Sequence, residues 1–186
     1  MNMFDQPILR GKGPPSDPYT DHAALDDHDA LTCTIIQAVA AVSRTDPVDL
    51  PLLYEAIDPD ALVVVLRSMD VTGPGAVCFK YHGYLVTADP TGEIAVHPRP
   101  DVLIDVNVGG TVAGASVREA VQSAVAPDQV DARLDDHIDV GALTDLVAGA
   151  AYCQVRFAHA GSDVTVHGGG QVTLQPLSDE RPAPSR

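Results

Sequence analysis

The sequence predicts an α+β protein built from two copies of one ααα–βββ unit, each a small antiparallel three-stranded sheet packed on helices. Three observations predict it. Helical apolar stripes give way to alternating strands twice, over residues 30–98 and again over 113–176. In the second helical stretch, Leu134, Ile138, Asp139, Ala142 and Leu143 stand 81 residues after Leu53, Ile57, Asp58, Ala61 and Leu62. The strands then repeat at a constant offset of 78: Val155, Phe157, Gly161, Val164, Thr165, Gly170 and Pro176 follow Val77, Phe79, Gly83, Val86, Thr87, Gly92 and Pro98. The one change of spacing falls in a helix-to-strand loop, where deletions are tolerated. Such self-similarity marks a repeated supersecondary unit. The two units are expected to pack about a pseudo-twofold axis, with their sheets joined or facing each other.

Residues 1–29 are rich in Pro, Gly and Asp and show no sustained periodicity, which predicts a flexible acidic tail. His22 and His28 lie among aspartates there, but ordering such a segment around a metal costs entropy, so a solvated tail is the simpler account. Leu31, Ile35, Ala38, Val39 and Val42 then mark one buried face of a helix over 30–44. It ends before Asp46-Pro47, because the residue preceding a proline avoids helical dihedrals.

Asp49 is expected to cap a short helix from Leu50 to Ile57, with Pro51 in its first turn. Asp58 caps the next helix, with Pro59 first and Asp60 at the positive end of the dipole. That helix runs to about Met69 and is stopped by Thr72-Gly73-Pro74-Gly75. Three strands follow over 76–98. His82-Gly83 joins the first two, since Gly supplies the positive φ of a primed hairpin turn, and Asp89-Pro90-Thr91-Gly92 joins the next. Residues 99–112 form a linker, with alternation at 102–108 that suggests a further or bridging strand. In the second unit, Val117, Ala120, Val121 and Ala124 mark the first helix and Val130-Asp131 echoes Val48-Asp49. Residues 177–186 are a polar tail.

Composition narrows the function classes. The net charge is −15, from 26 acidic and 11 basic residues, and only Lys12 and Lys80 are lysines. This suits a salt-rich cytoplasm, where the Debye length falls to ~3 Å and like charges hardly repel. Cys33, Cys78 and Cys153 are far apart and odd in number, as expected of reduced thiols in a cytosol. No segment reads as a signal peptide, and no apolar run approaches a bilayer span of ~20 residues.

The first unit resembles the haloarchaeal output domain family (type one). The residues that carry the resemblance are Ala38-Val39-Ala40, Asp49-Leu50-Pro51-Leu52-Leu53-Tyr54, Ile57-Asp58-Pro59-Asp60-Ala61-Leu62, Phe79-Lys80-Tyr81-His82-Gly83-Tyr84 and Gly92-Glu93-Ile94. The second unit departs from the pattern, with Asp131-Ala132-Arg133-Leu134-Asp135-Asp136 in place of the proline and tyrosine, and Val140 in place of Pro59. The resemblance implies a signalling role through protein contacts and brings no catalytic residues with it.

The residues themselves offer no catalytic constellation. Gly168-Gly169-Gly170 can be read as an anion nest, but it falls where copy one makes a hairpin turn. Capping explains Asp58 and Asp60 without an acid–base role. Cys78 aligns with Arg156, so no thiol is repeated. His137, His159 and His167 align with Ala56, Tyr81 and Asp89, and their spacing matches no zinc motif. Nucleic-acid binding calls for a basic stripe or a stacking platform, and the basic residues here are scattered.

Two functions stay open. One is a non-catalytic output module that docks a protein partner, with Tyr54, Tyr81 and Tyr84 as interaction residues; the other is a small-molecule or ion-binding regulatory domain, which a deep polar pocket would favour. No cofactor or metal is expected, no membrane partner, and a homo-oligomer is left open.

Overall fold

The structure, a computed structural model, describes residues 18–98, 134–150, 152–168 and 171–176. Several expected features lie outside the described residues: the tails at 1–17 and 177–186, the 99–112 linker with its strand at 102–108, the first helix of copy two, the Val130-Asp131 echo, and Gly169-Gly170.

The first helix, α1, runs over His28–Ser43 and is capped by Asp27, whose side chain accepts from the backbone N–H groups of Asp29 and Ala30. It ends at Arg44 in a left-handed conformation. Helix α2 (Pro59–Ser68) begins as expected, with Asp58 accepting from the N–H groups of Asp60 and Ala61 and Pro59 in the first turn. Strands β2 (Ala76–Tyr81), β3 (Tyr84–Ala88) and β4 (Glu93–His97) follow. Copy two supplies helix α3 (Val140–Gly149), capped by Asp139, then β5 (Cys153–His159), β6 (Ser162–His167) and β7 (Val172–Pro176). The hairpins turn where expected. His82 and Gly83 both have positive φ, and so do Ala160 and Gly161 at the same place in copy two.

Two segments differ from the sequence expectation. Part of the supposed N-terminal tail is a strand, β1 (Tyr19–His22), which pairs antiparallel with β4 from Tyr19↔Val96 to His22↔Glu93. A polar strand of four residues has no apolar period to announce it; the unpaired edge of β4 recruits it through backbone hydrogen bonds. The expected helix from Leu50 to Ile57 is absent. Instead, single 3-10 turns form at Pro47–Asp49 and Leu53–Glu55, and Asp46 rather than Asp49 caps the first. Pro51 is the cause: it lacks a donor and holds Leu50 extended, at φ −75° and ψ 147°.

All strands join in one seven-stranded antiparallel sheet of order β1-β4-β3-β2-β5-β6-β7. The two copies meet at β2–β5, in the register Ala76↔Arg156, Val77↔Val155, Cys78↔Gln154 and Phe79↔Cys153. The sheets are therefore joined edge to edge about a pseudo-twofold axis. The helices cover one face. Val77, Phe79, Val86, Ile94 and Val96 of copy one, and Val155, Phe157, Val164 and Val166 of copy two, pack with Leu31, Ile35, Leu62, Leu66, Leu143 and Leu146 in one continuous core. Helix α2 contacts α3 across the axis, and the Asp139 N–H donates to Ser68 Oγ at 2.9 Å.

Candidate functional site

Because each strand residue alternates in direction, the apolar register that fills the core fixes what the ends of β2 and β5 present at the seam. Val77, Phe79 and Tyr81 face the helices, and Lys80 emerges on the other side. The extended stretch before Pro51 carries Leu52 to the same place. A cleft of about 400 Å3 forms there, lined by Pro51, Leu52, Glu55, Ala56, Lys80, Tyr81, His82 and, from copy two, Tyr152.

Its walls are partly apolar and outward-facing. Leu52 is 71% exposed and Tyr152 63%. The Lys80 ammonium sits 4.6 Å from the centroid of the Tyr152 ring, a cation–π distance that bridges the two copies. The Tyr81 ring is buried, and its hydroxyl donates to the Pro51 carbonyl at 2.6 Å, holding the Leu52 loop against the sheet. Burial raises the Tyr81 pKa, so the hydroxyl keeps its proton and the bond its donor.

A second, smaller pocket is lined by Met69, Asp70, Gly73, Pro74, Gly75, His137, Phe157 and Ala158. Its volume is only about 20 Å3. Position by position, His137 replaces Ala56, Ala158 replaces Lys80, and Pro74 replaces Tyr152. The His137 ring packs edge-on against His159, the counterpart of Tyr81, with centroids 5.3 Å apart. His137 thus places an imidazole at the position where copy one has the Ala56 methyl group.

The three tyrosines of the sequence analysis have different surroundings. Tyr81 lines the cleft. Tyr84 pairs with it across the hairpin and packs, partly buried, on the core. Tyr54 is exposed on the neighbouring 3-10 turn and donates to Asp60 Oδ2 at 2.9 Å, which raises its pKa. Leu52 and Tyr152 were missed. Leu52 was assigned to a helix, and Tyr152 meets it only through a strand pairing between residues far apart in sequence.

Neither Cys78 nor Cys153 is an activated thiol. Burial raises the pKa of Cys153 to about 12 and that of Cys78 in the same direction, so both stay protonated at neutral pH. Among the described residues no group of His, Cys, Asp and Glu could hold a metal ion, and no helix is long and apolar enough to cross a membrane.

No curated protein and no solved structure matches the chain. The family described as Halobacterial output domain 1 matches it twice, over residues 27–98 and 115–176. These matches span the two halves that the β2–β5 seam joins, and they cover most of the sequence: the chain belongs to the Halobacterial output domain 1 family, in tandem.

Proposed function

We propose that the chain is a non-catalytic regulatory module that binds a protein partner at the seam cleft of copy one. Membership of an output-domain family suggests a signalling or regulatory role. The observation that supports this site is the cleft itself: about 400 Å3, walled by the exposed side chains of Leu52 and Tyr152 and bridged between the copies by Lys80. Copy two then acts as scaffold. It contributes Tyr152 and fixes the β2 edge.

The chemistry suits a protein surface. Exposed Leu52 and Tyr152 offer apolar anchorage, the kind of aliphatic and aromatic contact that dominates interface energetics. Lys80 is a cation in a chain of net charge −15 and would meet a carboxylate of the partner. A salt-rich cytoplasm, which the acidic, lysine-poor composition favours, screens exposed charge pairs and leaves apolar contact as the main attraction. Tyr54 extends the surface on one side.

The test is affinity capture from a native high-salt lysate with the full chain and two variants. Leu52→Asp/Tyr152→Ala is expected to keep its circular dichroism and lose the captured partner. His137→Ala, away from this cleft, is expected to retain it. Equal capture by the wild type and the Leu52→Asp/Tyr152→Ala variant would overturn the assignment.

A further inference from the structure

We infer that the open face of copy two carries a binding site for a small zwitterion of the amino-acid kind, seated on the Arg156–Asp163 pair. The face turned away from the helices is polar on β5, β6 and β7, and a cleft of about 210 Å3 lies on it. Gln154, Arg156, Asp163, Thr165, Thr173 and Gln175 line it, with His167 at one side. This site is distinct from the seam cleft and rests on different residues.

Asp163 is 8% exposed although its side chain is ionisable. Arg156 donates to its Oδ2 from Nε at 2.6 Å and from Nη2 as well. Asp163 Oδ1 has no hydrogen-bond partner among the described residues. A buried, unpaired carboxylate oxygen is costly, and native proteins rarely leave one without a purpose. It is an unmet acceptor beside a polar cleft. The Arg156 side chain is 55% exposed. Two of its five N–H donors are engaged, so the outer ones remain for a second carboxylate, which a guanidinium accepts in a planar, two-point geometry.

The charges decide the ligand class. The site holds one cation and one anion. A lone anion would meet Arg156 but also Asp163 and a chain of net charge −15; a lone cation would meet the reverse at Arg156. A molecule carrying both charges finds an opposite at each end. Burial lowers the His167 pKa, so at neutral pH that ring is an uncharged hydrogen-bonding group and leaves the balance intact. The volume matches a molecule of amino-acid size, and the Gln and Thr side chains can both donate and accept.

Copy one shows that the fold does not need this arrangement. At the offset of 78, Gln154, Arg156, Asp163, Thr173 and Gln175 correspond to Ala76, Cys78, Leu85, Ala95 and His97, and only Thr165 keeps its type, as Thr87. Leu85 is fully buried where Asp163 stands in copy two. The scaffold therefore accepts an apolar pair at these positions, and the ion pair is a property of copy two alone.

The experiment is isothermal titration calorimetry of the full chain at fixed high salt with glycine, L-alanine and L-glutamine, and with acetate and methylammonium as the separate charge halves. Saturable binding of at least one amino acid is expected, with each half binding at least tenfold more weakly. Its chemical-shift changes should centre on the backbone amides of Thr165 and Thr173. Arg156→Cys/Asp163→Leu, which installs the copy-one pair, should fold and lose the binding; if it fails to fold, the shift map decides. No saturable binding by any of the three amino acids, acetate binding as tightly as they do, shifts centred elsewhere, or unchanged affinity in the folded double variant would each overturn the proposal.

Discussion

Val77 and Val155 occupy the same position in the two copies, and they pair directly with each other across the β2–β5 seam. The pseudo-twofold axis passes between them. Both are fully buried in the one core cluster. Val77→Ala and Val155→Ala are each expected to cost about 2 kcal/mol, within the usual range for core truncation. Because the two side chains are neighbours, the double variant should depart from the sum by ~0.5 kcal/mol or more, whereas distant sites would add. Chemical denaturation of the four proteins measures this.

Gly92 closes the turn before β4 with φ +92°, and a Cβ built on it would lie 2.1 Å from the Ala23 carbonyl oxygen. The Ala23 N–H in turn donates to the Gly92 carbonyl at 2.9 Å. Gly92→Ala is expected to lose about 2 kcal/mol through backbone strain and to pull β1 off the sheet edge. Gly83→Ala shares the positive φ but meets open space, so it should cost less. Thermal melting compares the two variants, and faster amide exchange at Ala23 in Gly92→Ala reports the loss of β1.

Acidification should destabilise the protein before its carboxylates titrate. Burial lowers the pKa values of His97, His159 and His167, and His137 adds to the effect at His159. The unfolded chain takes up protons near the ordinary value of 6.5, while the folded chain resists them. Stability is thus fully present above that pH and is lost as pH falls from there toward the depressed folded values. The buried His159 Nδ1 has no hydrogen-bond partner among the described residues, so a proton there is poorly accommodated. Melting temperature at constant salt should drop between neutrality and pH ~5, and the drop should be smaller in His159→Leu.

Where structure is set locally, the sequence was readable. The Asp58-Pro59 cap, the His82-Gly83 hairpin and the strand periods each follow from residues within a few positions of one another, and the repeat follows from comparing them. The features that escaped depend on distant partners. Tyr19–His22 is a strand only because β4 has a free edge. The cleft brings Leu52 to Tyr152 through strand pairing, and Pro51 overrode the helical reading of its own neighbourhood. The Arg156–Asp163 pair left a signal that went unread. Opposite charges at outward positions on either side of the Ala160-Gly161 turn are diagonal neighbours on one face.

A fragment of residues 18–98 exposes the β2 edge that β5 covers in the full chain. Since Val77 pairs with its own equivalent, the same register lets Val77 of one fragment lie opposite Val77 of another. The fragment is expected to dimerise through β2, and Cys78→Pro, on the open face and breaking that edge ladder, should keep it monomeric. Analytical ultracentrifugation distinguishes the two.

That self-pairing register has a consequence for how a protein of this design can change. Two identical chains related by a true twofold must carry every substitution twice, so each gain at one end of the seam is imposed on the other. Tethering both halves in one polypeptide lifts that constraint and fixes the ratio of the halves at any dilution. One half is then free to place an ion pair on its open face, while the other keeps Cys78 and Leu85 at the equivalent positions.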